Sequence, residues 1–424
     1  MPLADDARGP IAQKLHIANF RESLALVEAG VASPRDIDKV ITNAIGRRWA
    51  VGGPFEIWEQ IGWDLVQVIA GELITEISVA TVPPDFLANM AADAGSKFLS
   101  DQGSESRRES DSAFPYFKTV AVIGAGLMGH GIALEFASYG RDVVLHDISE
   151  KLLGEAMVKA RTGLLALASK GHISKAGVED ALGRISTSTD LRESVKNADL
   201  VIEAASENLE LKKHLFSEID KAAPDHAILA SNSSTFVPSA YGAHTNRPEQ
   251  VVGIHYYNPP HLLPGVEIVR GPDTSDVVAE VVAAEYVSLG KKPAIVQREI
   301  PGFIGNRLQV ALLREAMSVV ERGDATAAEV DEIVRGGFGK TYAETGVFEI
   351  ADGRGAEHAR SVAEELFPQL ANDRELPRLL LDKIDSGDLG VKTGKGFYEW
   401  TPESAEAWRA NMADSLLDMT TRDL

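Results

Sequence analysis

Residues 118–131 read KTVAVIGAGLMGHG, a β-branched apolar run that stops at glycine and passes into a helical pattern. No other stretch of the chain restricts its fold as strongly. Gly124, Gly126 and Gly129 fall in G-x-G-x-x-G spacing, and the strand and helix around them give that spacing a mechanism. The first glycine permits a tight turn and the second lets backbone approach a pyrophosphate. The third lets the helix pack close to the strand, with its N-terminus toward the phosphates. A second strand-like run, DVVLHDIS, reaches Asp147, about 20 residues on, where a carboxylate binds ribose hydroxyls and repels a 2′-phosphate. Ile148 follows rather than arginine, so the turn predicts NAD and not NADP.

Further strand-like runs, ADLVIEA, AILASNS and VVGIHYY, alternate with helical segments. Such alternation implies a parallel sheet covered by helices. From Pro301 the strand signals stop, and FIGNRLQVALLREAMSVVERG has helical periodicity. The expected fold class is α/β, a Rossmann-type doubly wound parallel sheet with all-α helical domains. Residues 100–113, SDQGSESRRESDSA, have linker composition. The expected division is a helical domain at 1–99, a linker at 100–117, a dinucleotide-binding domain at 118–300 and a helical domain at 301–424.

The two helical pieces share a pattern. FRESLALVEAGVASPRDIDKV (20–40) matches LREAMSVVERGDATAAEVDEI (313–333), and the same register carries GGPFEI (52–57) onto TGVFEI (345–350). Amphipathic helices resemble one another because they need the same apolar period. That period does not explain why Gly30/Gly323, Gly46/Gly339 and Phe55-Glu56/Phe348-Glu349 all obey one offset of 293 residues. The front piece reads as a second copy of the C-terminal helical domain.

Bulk properties exclude several function classes. A formal charge of −21 is the wrong sign for a phosphate-neutralising nucleic-acid surface. The chain has no cysteine, which removes disulfides, thiolate catalysis and Cys-based zinc sites. There is no HExxH or comparable metal spacing. No apolar run approaches the ~20 residues of a membrane span, and the first residues lack the pattern of a signal peptide. These features predict a soluble, cytoplasmic protein with no metal, nucleic-acid or membrane partner. GGFGKT (336–341) ends like a phosphate loop, but Val334 stands where GxxxxGKT needs its first glycine.

The stretch GIHYYNPPHLLPGVEIV (253–269) carries His255 and, twelve positions later, Glu267. It reads as a strand, a Pro-broken turn and a second strand, which can bring the two side chains together at the end of a parallel sheet, where such folds place reactive groups. A carboxylate on Nδ1 fixes the tautomer, leaves Nε2 as acceptor and stabilises the imidazolium. Ser234 follows a strand and Asn306 opens a helical pattern, and each could simply cap a helix. Segment 156–178 holds Lys159, Arg161, Lys170 and Lys175 with no acid. It reads equally as a phosphate-binding surface or a solvated helix face.

From Lys118 to about residue 400 the chain resembles the L-3-hydroxyacyl-CoA dehydrogenases. The resemblance is carried by GAGLMGHGIA, DLVIEAASENLELKKHLF, ASNSST, GIHYYNP with VEIV, PGFIGNRL and KTGKGFY. It implies that His255 is a base oriented by Glu267, and that Ser234 and Asn306 bond the reacting oxygen. It also implies that Glu207 and Lys212 lie beside NAD, and that the substrate is a small molecule, a CoA thioester whose phosphates Arg161 and Lys170 would hold. LLPGVE, with Leu263 and Pro264 where CoA enzymes carry Met-Lys, instead resembles the carnitine and gulonate dehydrogenases and the related lens crystallin. Some relatives with this fold serve as non-catalytic structural proteins, but retention of Ser234, His255, Glu267 and Asn306 speaks against that role. In the family the helical domain also forms the dimer interface. The front copy, whose counterpart of Asn306 is Gln13, is therefore expected to make an internal pseudo-dimer, with a homo-oligomer as a further option.

Overall fold

The computed structural model describes residues 11–93, 96–99 and 117–422. It divides into two compact units, Met1–Ser106 with Pro301–Ser415, and Arg107–Ile300 with Leu416–Leu424. The expected linker lies outside the described residues except for Phe117. The last helix spans Pro402–Arg422.

The second unit is a single eight-stranded sheet: β1 Thr119–Ile123, β2 Asp142–His146, β3 Ile185–Ser188, β4 Leu200–Glu203, β5 Ile228–Ser231, β6 Val251–Tyr256, β7 Gly265–Val269 and β8 Lys292–Val296. The order is β3-β2-β1-β4-β5-β6-β7-β8. All pairs are parallel except β6 and β7. The order reverses between β1 and β4, and the crevice beyond the strand ends at such a switch point is where open α/β sheets bind ligands. β4 and β5 are buried along their whole length, which explains their unbroken apolar runs. One helix on the sheet, Leu209–Ala222, is capped by the Asn208 side chain accepting from Leu211 N. It buries Phe216 and Ile219 against Ala121, Val201 and Leu229. Burying a side chain such as Phe216 stabilises by roughly 1.5–3 kcal/mol.

In the first unit the helix Ile11–Glu28 packs along Gly305–Glu321, and the offset seen in the sequence governs the contacts. The Asp38 carboxylate accepts from Phe348 N and Glu349 N, 2.9 Å each. Asp331, at the matching position, accepts from Phe55 N and Glu56 N, also at 2.9 Å. Arg21 donates to Ala371 O and Arg314 to Ser78 O. Glu22 accepts from Ser78 N and Glu315 from Ala371 N, both at 2.6 Å. A Cβ on Gly46 would collide with the Tyr342 carbonyl, and one on Gly339 with the Trp49 carbonyl. The Asp, Arg and Gly contacts run between the halves in reciprocal pairs, as in an isologous interface, while the two Glu contacts repeat within each half. Burial lifts the carboxyls of Asp38 and Asp331 to about 7 against the pull of their backbone donors. No helix among the described residues is long and apolar enough to cross a membrane.

Candidate active site

The glycine turn behaves as its spacing requires. Gly124 has φ +112°, and a Cβ on it would press into the Ala204 carbonyl of the β4 loop. A Cβ on Gly129 would overlap the Gly124 carbonyl, whereas one on Gly126 meets nothing within 4 Å. The turn is thus closed on the protein side and open at the glycine expected to approach pyrophosphate. Asp147 directly follows β2 and braces the turn, accepting from Ala125 N at 3.0 Å and Ser149 N at 3.1 Å. Backbone donors, a helix N-terminus and a carboxylate at this spacing fit a dinucleotide.

Beside the turn, the loops after β4 and β5 are tied by a buried polar network. Lys212, only 1% exposed, donates to both oxygens of Glu203 at 2.9 Å and pairs with Glu207 at 3.1 Å. Ser231 Oγ donates to Glu203, and Ser233 Oγ to Glu207, both at 2.5 Å. All three protons of the Lys212 ammonium have carboxylate partners within the protein. Lys212, which the resemblance places beside the cofactor, is thus a buried cation that ties Glu203 and Glu207 together. Ser234 follows in the same loop, half-buried, and its neighbour Ser233 holds that loop, its Oγ accepting from Phe236 N at 2.9 Å.

His255 and Glu267 lie directly opposite one another in the antiparallel β6–β7 pair, so cross-strand geometry brings them together. His255 Nδ1 is 2.5 Å from Glu267 Oε2, and both residues are buried, at 4% and 0% exposed. A carboxylate only accepts, so Nδ1 carries the proton and Nε2 is the acceptor nitrogen. Tyr257, which the sequence reading did not single out, donates its hydroxyl to the same Oε2 at 2.6 Å. Lys291, also not anticipated, clips the intervening turn: its ammonium donates to Pro260 O and Leu263 O and pairs with Glu135 at 2.6 Å. His261 occupies the space left by Gly131 and Gly163, where burial drops its imidazole to about 3.

Asn306 belongs to the helical unit, in the first turn of Gly305–Glu321, buried and accepting from Gln309 Nε2 at 3.3 Å. Just before it, Gly302 and Phe303 both have positive φ, +73° and +51°, a strained conformation for phenylalanine. Arg161 makes a two-pronged pair with Glu179, at 2.6 and 3.1 Å. Lys170 pairs with Asp418 at 2.6 Å. Both basic residues nominated for phosphates are engaged by carboxylates of the protein. Among the described residues no group of His, Asp and Glu is gathered as a metal site.

The family model for the 3-hydroxyacyl-CoA dehydrogenase NAD binding domain matches residues 119–300, and that for the C-terminal domain matches both 9–99 and 302–400. The chain belongs to the 3-hydroxyacyl-CoA dehydrogenase family. It is an NAD-dependent oxidoreductase of the kind that acts on CH–OH groups. A probable 3-hydroxybutyryl-CoA dehydrogenase of Bacillus subtilis is 34% identical over 68% of this chain and 99% of its own length. The 5-formyl-3-hydroxy-2-methylpyridine 4-carboxylate 5-dehydrogenase of Mesorhizobium japonicum is 32% identical over 71% and 96%. A crystal structure of a 5-dehydrogenase of that same pyridine acid, described as an NAD+-dependent dismutase, superposes with a TM-score of 0.68, covering 72% of this chain and 98% of its own. A lambda-crystallin homolog of Bos taurus is 39% identical over 54% of this chain and 72% of its own length.

Proposed function

We propose that the protein oxidises the 3-hydroxyl of a 3-hydroxyacyl-CoA, reversibly, with His255 as general base. The observation that carries this reading is the buried contact of His255 Nδ1 with Glu267, because an imidazole so held offers Nε2 to a hydroxyl proton. His255 Nε2 takes that proton as the O–H bond breaks, and Glu267 stabilises the resulting imidazolium. Ser234 and Asn306 hold the oxygen as it becomes a carbonyl. The glycine turn would hold NAD, which would supply the acceptor for the hydride leaving the same carbon. The thioester part of the proposal draws its support from relatives named as 3-hydroxybutyryl-CoA dehydrogenases.

A second reading, a small free hydroxy acid, is favoured by specific observations. Arg161 and Lys170 already have carboxylate partners, Pro264 stands before the dyad glutamate, and a relative matched over most of its length is named for a pyridine carboxylate. NADH formation measured side by side on 3-hydroxybutyryl-CoA and free 3-hydroxybutyrate separates the two. Preference for the thioester supports the first, preference for the free acid the second, and no turnover of either refutes both.

We further propose that residues 9–99 are a duplicated helical domain that packs on residues 302–400 as a built-in partner. The reciprocal contacts of Asp38 and Asp331, and of Arg21 and Arg314, support it. Removal of residues 1–100 is expected to expose an apolar face and to cause association or aggregation. A truncated chain of unchanged solubility, stability and oligomer size would contradict the idea.

A further inference from the structure

Tyr257 plays no part in the reaction as written, yet it sits on the dyad. It is 3% exposed, and its ring centroid lies 5.0 Å from that of His255. Its hydroxyl donates to Glu267 Oε2 at 2.6 Å, the oxygen that also accepts His255 Nδ1–H at 2.5 Å. The strand pattern explains the convergence. His255 and Tyr257 are two residues apart, Tyr257 immediately beyond the end of β6, and both side chains reach Glu267 Oε2. Glu267 is directly opposite His255, so Tyr257 is its diagonal neighbour, a separation that an aromatic side chain spans. On the other side of Glu267, β8 presents uncharged Ala294. On the other side of β6, β5 sets Ser231 beside Gly253. Within the sheet, the titratable groups at this oxygen are His255, Glu267 and Tyr257.

We infer that Tyr257 is a positioning residue for the base, and that its hydroxyl takes up part of the acceptor strength of Glu267 and so sets how firmly the imidazolium is held. A carboxylate oxygen shared by two donors bonds each less strongly than it would bond one. The phenol donates whether the imidazole is neutral or charged, so it draws on Glu267 at both ends of the proton transfer. It also fixes the carboxylate's rotation, keeping Oε2 in line with Nδ1. The inference rests on the reading of His255 as base.

Tyr257→Phe in the full chain removes the hydroxyl and keeps the ring. The acid limb of the pH profile of kcat/KM is expected to move up by ~0.5–1 pH unit, because the undivided carboxylate then favours the protonated imidazole. The KM for NAD stays as in the wild type. The His255 ring followed by nitrogen NMR without substrate is expected to show the same displacement. That readout does not depend on turnover, so an inactive wild type would count against the proposed function alone. Where Tyr257→Phe folds poorly, 3-fluorotyrosine at position 257 keeps the shape, strengthens the donor and is expected to move both readouts the other way. Unmoved pH profiles and ring titrations would overturn the inference, whatever the change in stability.

Discussion

The two halves of the helical unit, residues 11–99 and 302–400, share a skeleton and differ in what they carry. Asp38 and Asp331 each cap a helix of the opposite half, and Gly46 and Gly339 admit the carbonyls of Tyr342 and Trp49. Where the C-terminal half has Asn306, however, the front half has Gln13. A buried polar group that recurs at the offset is explained by packing, since both copies need it. One that occurs once needs another explanation. His255 and Glu267, in the dinucleotide unit, have no recurrence at all.

The largest effect expected from this contrast comes from a group that occurs once. His255→Gln should lower turnover at least ~100-fold, the scale of a lost general base, with NAD affinity and melting temperature near those of the wild type. Steady-state NADH formation and calorimetry check it together. A twice-occurring group should do the reverse. Gly46→Ala and Gly339→Ala each drive a methyl into a backbone carbonyl of the other copy. Each should cost about 1–3 kcal/mol of stability in denaturant unfolding, the two alike, with little change in kcat. Unequal losses would show that the halves are not held by equivalent contacts.

A smaller effect is expected in pH dependence. The folded-state carboxyls of Asp38 and Asp331 sit at about 7, above their unfolded range. Such groups contribute stability that is full below about pH 4 and is lost as pH rises through 7. The double variant Asp38→Asn/Asp331→Asn should therefore melt with a shallower decline between pH 5 and 8 than the wild type. Parallel curves would remove these two carboxyls as its source.

Six of the eight strands were legible as apolar or β-branched runs, and so was the pairing that joins His255 to Glu267. β3 was not, because ISTS is short and polar at a sheet edge; β8 was not, because KPAIV begins with lysine and proline, which weaken a strand signal. Residues 265–269 were expected as a strand after a Pro-broken turn, and they pair antiparallel with β6 and parallel with β8. Lys212 reads from sequence as one more lysine on an amphipathic helix, and only the fold reveals carboxylates on every side of it. Tyr257 is one of two adjacent tyrosines, and nothing in their spacing chooses between them. Asp38 and Asp331 could have been found in advance, because the repeat register pairs them and an aspartate kept at both places invites a shared role.

Activity measured side by side in Asn306→Ala and Gln13→Ala tests most directly whether one copy carries chemistry and the other only packing. Asn306→Ala is expected to lower kcat by ~100-fold, as for a lost donor to a reacting oxygen, while Gln13→Ala stays within twofold of the wild type, the scatter of a surface change. Equal losses in the two variants, or none in either, would contradict the account.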